Sequence, residues 1–194
     1  MEGKPLNPGL DWNDLNVTLD PASYSQRART WYNMAARWGF NSDIPDEYIQ
    51  LCPEIRYNID GSIYKQNTVK KGMGLVKYWE TGNETDGNWM GSNRWFNPEE
   101  QAAYMSASYD GHMGTMGAGM GIKAADPNAV VIMQGAVSAA SMGYLKKMLM
   151  WFDVNRGVGN YPFDGYNFHL YQAWSDEPLT SPYSTIPAYG VALE

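Results

Sequence analysis

Two adjacent residues, Asn83 and Glu84, offer the plainest chemistry in this sequence. They lie within the run VKYWETGNETDGNW, residues 76–89. A carboxyl group can give a proton to a glycosidic oxygen and later take one from water, while an amide beside it holds a neighbouring hydroxyl. A ring such as Trp89 offers a flat apolar surface to a sugar face. The residues just before the pair, GLVKYWE at 74–80, are glycine-bounded and rich in β-branched and aromatic types, which predicts a strand. In a parallel sheet, Asn83 and Glu84 then fall at the C-terminal edge, where α/β proteins bind ligands. Taken alone, an Asn-Glu pair is better read as a solvated turn, so its surroundings must decide.

Other reactive groups are few. His112 and His169 are the two histidines, and neither stands in an HxH or HExxH arrangement. Each is read as structural or sugar-contacting, and no metal or cofactor is expected. Cys52 is the single cysteine, which excludes a disulfide framework and a Cys-cluster zinc site within one chain. Residues 114–121 read GTMGAGMG, and Gly119-Met120-Gly121-Ile122-Lys123-Ala124 matches a GxGxxA pattern. Dinucleotide binding needs that pattern to follow a strand and open a helix. Here DGHM precedes it inside a methionine stripe, so close packing through small residues is the simpler reading. The sequons Asn16-Val17-Thr18 and Asn83-Glu84-Thr85 carry little weight, because such triplets are common by chance.

The elements that must position these groups alternate along the chain. Residues 1–19 read as loop. Asp20-Pro21 predicts a helix start, with Tyr24, Ala28, Trp31, Ala35 and Trp38 on one face and Gly39 as its end. Residues 41–74 read as a long irregular segment. After the strand at 74–80, Asn97-Pro98-Glu99-Glu100 caps a second helix, continued by Met105, Tyr109, Met113, Met116 and Met120. AVVIM at 129–133 predicts a fully buried strand. Leu145, Met148, Leu149 and Phe152 mark a third helix, and residues 164–171, DGYNFHLY, a third strand. This order predicts an α/β fold with a parallel sheet and helices outside it, either doubly wound or an eight-fold barrel.

Composition narrows the function classes. The 194 residues include 14 basic and 21 acidic ones, a net charge of -7, which argues against nucleic-acid and anionic-membrane partners. No run approaches the roughly 18 apolar residues of a membrane span. The 8 Trp, 14 Tyr and 5 Phe make 14% of the chain. Part of this excess, Trp79 and Trp89 with Tyr171 and Trp174, falls at predicted strand ends; Trp31 and Trp38 fall on helix faces and are read as core.

Taken together, these blocks resemble the clan of retaining glycoside hydrolases built on (β/α)8 barrels, in which an Asn-Glu pair ends the fourth strand. Trp79-Glu80-Thr81-Gly82-Asn83-Glu84 matches that strand. Residues 98–100, 109–112 and 121–129 are similar to the following helix and fifth strand, and Asn167-Phe168-His169-Leu170-Tyr171 to the sixth. The resemblance spans about residues 24–172. It implies a partial (β/α)8 TIM barrel, one glycosidase-like catalytic domain over residues 1–194, and an oligo- or polysaccharide substrate. Glu84 would be the general acid/base and Asn83 would bind the sugar hydroxyl. Trp89, His169, Tyr171 and Trp174 would line the cleft. A secreted or periplasmic setting is expected.

One departure matters. The clan's nucleophile is a second Glu ending the seventh strand, and after residue 171 only Glu177 and Glu194 occur. Neither follows a recognisable strand, so the nucleophile is expected outside this chain and the chain itself is expected to be inactive. A barrel of this kind takes about 250 residues, which reads the chain as a truncated barrel whose open edges favour self-association. A carbohydrate-binding protein without chemistry, and an unrelated α/β protein, are the alternatives.

Overall fold

The computed structural model describes residues 4–51, 57–62, 68–87, 91, 93–136 and 142–169. Trp89, Tyr171 and Trp174 lie outside the described residues. The fold is mixed α/β. Its sheet pairs β1 (Tyr78–Glu80) with β2 (Val130–Ile132) in parallel, Trp79 facing Val131 in register. Three further parallel bridges extend it: Asn83 with Gly135, Ile132 with Gly165, and Ala136 with Phe168. The third predicted strand is thus a bridged segment beside β2, and β1 is shorter than the predicted 74–80.

The first helix is built as its sequence predicts. The Asp20 side chain accepts from the Ala22 N–H and Pro21 opens a 3-10 turn, Pro21–Tyr24, which leads into α2 (Ser25–Trp38). A short helix, α1 (Leu15–Thr18), precedes it in what reads as loop. Gly39 ends α2 with extended backbone. It is needed for space: a side chain there would strike the Ala35 carbonyl and the buried carboxylate of Asp126. The buried face of α2 is Ala28, Tyr32, Ala35 and Ala36, whereas Trp31 and Trp38 are only partly buried.

The second helix, α3 (Pro98–Asp110), carries a full capping box in which Asn97 and Glu100 exchange side-chain-to-backbone bonds. Lys4 reaches across to Glu100 at 2.6 Å in a buried ion pair that fastens the N-terminal segment. The helix does not run on through the methionines. Gly111, His112, Met113 and Gly114 take φ of +64, +51, +57 and +75°, a left-handed turn of four consecutive residues. Met113 is exposed there, while Met105 and Met120 are buried. Gly119 and Gly121 then lead into α4 (Ile122–Ala125) with no strand before them. Gly121 abuts the backbone of Asp110 and Gly111 and donates its N–H to the Ala28 carbonyl. That is the close packing expected of the glycine-rich run.

The last helix, α5 (Met142–Asn155), packs Met148 and Phe152 against Met105 and Met133. A second core joins α2, α4 and the sheet through Tyr32, Ala35, Ile122, Trp79 and Val131. Trp79, read as a cleft residue, is 4% exposed and belongs to this core. The strand at 129–133 is buried on one face only: Ala129, Val131 and Met133 are buried, but Val130 and Ile132 are half-buried. On β1 the same alternation leaves Tyr78 and Glu80 exposed either side of Trp79.

Candidate active site

Asn83 and Glu84 stand just past β1, at the C-terminal edge of the sheet. The Glu84 N–H donates to the Gly135 carbonyl at 2.9 Å, continuing the parallel ladder. At this point Glu84 turns into left-handed backbone, φ +49°. For a residue with a Cβ that region is sparsely used, and such strain concentrates at functional sites. The turn closes with the Gly87 N–H on the Glu84 carbonyl.

Glu84 and His169 meet. The imidazole Nδ1 lies 2.5 Å from Oε1 of Glu84, with their side chains 29% and 15% exposed respectively. Both are therefore accessible to a ligand yet partly shielded. The meeting spans three chain segments. Neighbouring strands are about 4.8 Å apart, so the outer two of three lie almost 10 Å from each other. Their side chains can touch because the middle segment offers Gly135 between them. A Cβ on Gly135 would run into the His169 ring.

A second link spans the same segments one step lower. Oε1 of Glu80 accepts the Gly135 N–H at 2.7 Å and the Asn167 side-chain amide at 3.0 Å. The third segment is pinned at its other end by Asp164, whose Oδ2 takes the Val131 N–H at 2.7 Å and pairs with Lys123 at 2.8 Å. Tyr109 stands by Asp164, and burial together with the charges of Asp164 and Asp110 pushes its hydroxyl up to about 12.

Beside Asn83 opens a cleft of about 540 Å³, bounded by the edge of β1 and the first half of α2. Asn83, Glu80, Trp31, Phe96, Arg27 and Arg94 line it. Trp31, read as core, is a cleft wall, and its indole N–H donates to the Tyr104 hydroxyl at 3.2 Å. The other histidine is far from this chemistry in role. Nδ1 of His112 bonds the buried Ser106 hydroxyl at 2.7 Å, and Arg156 ties Ser106 to Asp110. Among the described residues no group of three His, Cys, Asp or Glu side chains could hold a metal ion.

Of the residues singled out from the sequence, Asn83, Glu84 and His169 come together at one sheet edge. Three that sequence reasoning passed over complete the arrangement: Glu80, Gly135 and Asn167. The signal for Gly135 was present, since a glycine next to an apolar strand run marks a close approach. Nothing in the spacing of Glu80 and Asn167 foretells that they touch. The chain matches no known protein family, curated protein or solved structure.

Proposed function

We propose that this chain carries the fourth to sixth strands of a (β/α)8-barrel retaining glycoside hydrolase, with Glu84 as general acid/base. The observation that carries the reading is the juxtaposition of Asn83, Glu84 and His169 at the C-terminal edge of three parallel segments. The barrel is supported by the exposed inner face of the sheet. Parallel sheets are covered on both faces, and among the described residues helices cover the face bearing Trp79 and Val131 while Tyr78 and Glu80 opposite are exposed.

In this reading Glu84 protonates the departing glycosidic oxygen while a second carboxylate attacks the anomeric carbon, giving a glycosyl-enzyme ester. Glu84 then removes a proton from the water that hydrolyses it. Asn83 holds the hydroxyl next to the reacting carbon, and the adjoining cleft takes neighbouring sugar units against Trp31. Glu80 is poorly placed as the second carboxylate. Its Oε1 is already engaged as the acceptor of the Gly135 N–H and the Asn167 side-chain amide. The nucleophile is assigned to a seventh strand outside the described residues. The substrate is an oligo- or polysaccharide, and the setting is secreted or periplasmic.

The test uses the whole protein to which this sequence belongs. Glu84→Gln should lower turnover of a natural oligosaccharide by about 10²–10⁴-fold, the usual contribution of a general acid. An aryl glycoside whose leaving group needs no proton should lose far less in the glycosylation step. Equal turnover in both proteins on the oligosaccharide would sink the assignment. The aromatic and guanidinium lining of the cleft also favours a second reading, sugar binding without chemistry. Oligosaccharide binding that survives Glu84→Gln, with no turnover in either protein, would select it.

A further inference from the structure

The Glu84–His169 pair is held from below by a carboxylate that lies on no reaction path in the proposal above. Oε1 of Glu80 is the acceptor for two donors at once, the Gly135 N–H and the Asn167 side-chain amide. Each donor is tied to one half of the pair. Gly135 receives the Glu84 N–H on its carbonyl and backs directly on the His169 ring. Asn167 stands two residues before His169, so both side chains project from the same side of an extended segment. The backbone there is fastened to the middle segment, with the Ala136 N–H on the Asn167 carbonyl and the His169 N–H on the Ala136 carbonyl.

Among the contacts described at this end, backbone bonds of Ala136 join the third segment to the middle one, and the Asn167–Glu80 and His169–Glu84 contacts join it to the first. We infer that Glu80 is a positioning residue: its single oxygen draws the first, second and third segments together so that Nδ1 of His169 meets the carboxyl group of Glu84. The required property is an oxygen acceptor at this point. A glutamine can supply it, because its carbonyl oxygen can take the same two donors. An alanine cannot, and it leaves the Gly135 N–H and the Asn167 amide without this partner. The inference deepens the proposed role of Glu84 and rests on that reading only for its catalytic meaning.

The imidazole itself supplies the readout. In protein labelled with ¹⁵N-histidine, the Nδ1 signal and its hydrogen-bonded proton report the contact with Glu84, and a His169→Gln variant identifies which of the two histidines is seen. The Glu84-bound signature should persist in Glu80→Gln and vanish in Glu80→Ala, with the circular dichroism of both unchanged. If Glu80→Ala fails to fold, Asn167→Leu takes its place, because it removes one of the two donors and leaves the carboxylate; loss of the signature is again expected. Persistence of the signature in a folded Glu80→Ala or Asn167→Leu protein overturns the inference, and so does its loss in a folded Glu80→Gln. Because no turnover is measured, a chain without glycosidase activity can still pass this test. A failure here leaves the Glu84→Gln experiment standing.

Discussion

A glycine decides whether the side chains of Glu84 and His169 can touch. Gly135 has no positive φ to maintain; it is required because the His169 ring occupies the space a methyl group would take. Gly135→Ala should therefore push the imidazole off Glu84 and cost about 1–3 kcal/mol, the usual penalty for overpacking. Urea unfolding of the two proteins measures the cost, and a structure of the variant shows the ring displaced. A variant as stable as the parent, with the ring in place, would show that the site has more room than the geometry allows. At this scale the sequence was legible where one residue type had one use. Asn83 and Glu84 could be singled out because a strand ending in an amide and an acid is a recognisable arrangement. Glu80 could not, since a charged residue alternating with Tyr78 and Trp79 reads simply as the wet side of a strand.

At the level of elements, local signals worked best. Asp20-Pro21 and Asn97-Pro98 begin helices where capping chemistry places them. Periodicity was less reliable. Methionines at helical spacing carried the second helix past Asp110, but left-handed backbone from Gly111 to Gly114 stops it. Spacing cannot register a change of handedness. The same limit explains Trp31 and Trp79: helical and strand patterns place them on a face, but which face meets core or cleft depends on distant partners. The turn after α3 also sets a pH dependence. Burial, then the Arg156 guanidinium, lowers the pKa of His112 below its ordinary 6.5, partly offset by Asp110 and Asp20. The unfolded chain therefore binds the proton first. Stability should fall as the pH drops through about 6.5 and level off below the folded value. A His112→Gln variant should lose that slope in thermal melts from pH 7.5 to 5; an identical slope would remove His112 as its source.

Among the described residues, the parallel sheet leaves Tyr78 and Glu80 exposed opposite the helices and carries no strand beyond β1 or the third segment. Tyr78 is 63% exposed on the face opposite the helices. Backbone donors and acceptors at a strand edge are a template for another strand, so purified protein should self-associate. Light scattering across a concentration series should show mass rising above 21.8 kDa. A constant monomer mass would mean that the edges are closed by the chain itself. The alternation of the three longer helices with β1 and β2 was readable from the sequence, and so was the parallel pairing of those strands; the short helices α1 and α4 were not. The truncated burial of the sheet was not, because an apolar run such as AVVIM looks the same whether one face or two are covered.

The left-handed turn after α3 has a consequence in stereochemistry. L-residues pay roughly 1–2 kcal/mol each for that handedness, and two of the four turn residues, His112 and Met113, are not glycine. For a D-residue the energies are mirrored and the same φ is the comfortable one. An L side chain at Gly114 would meet open space, so the backbone conformation alone weighs against it. A D-alanine built in there by chemical ligation would sit in its preferred basin and restrict the unfolded chain. In this short stretch the backbone follows the geometry of the opposite enantiomer.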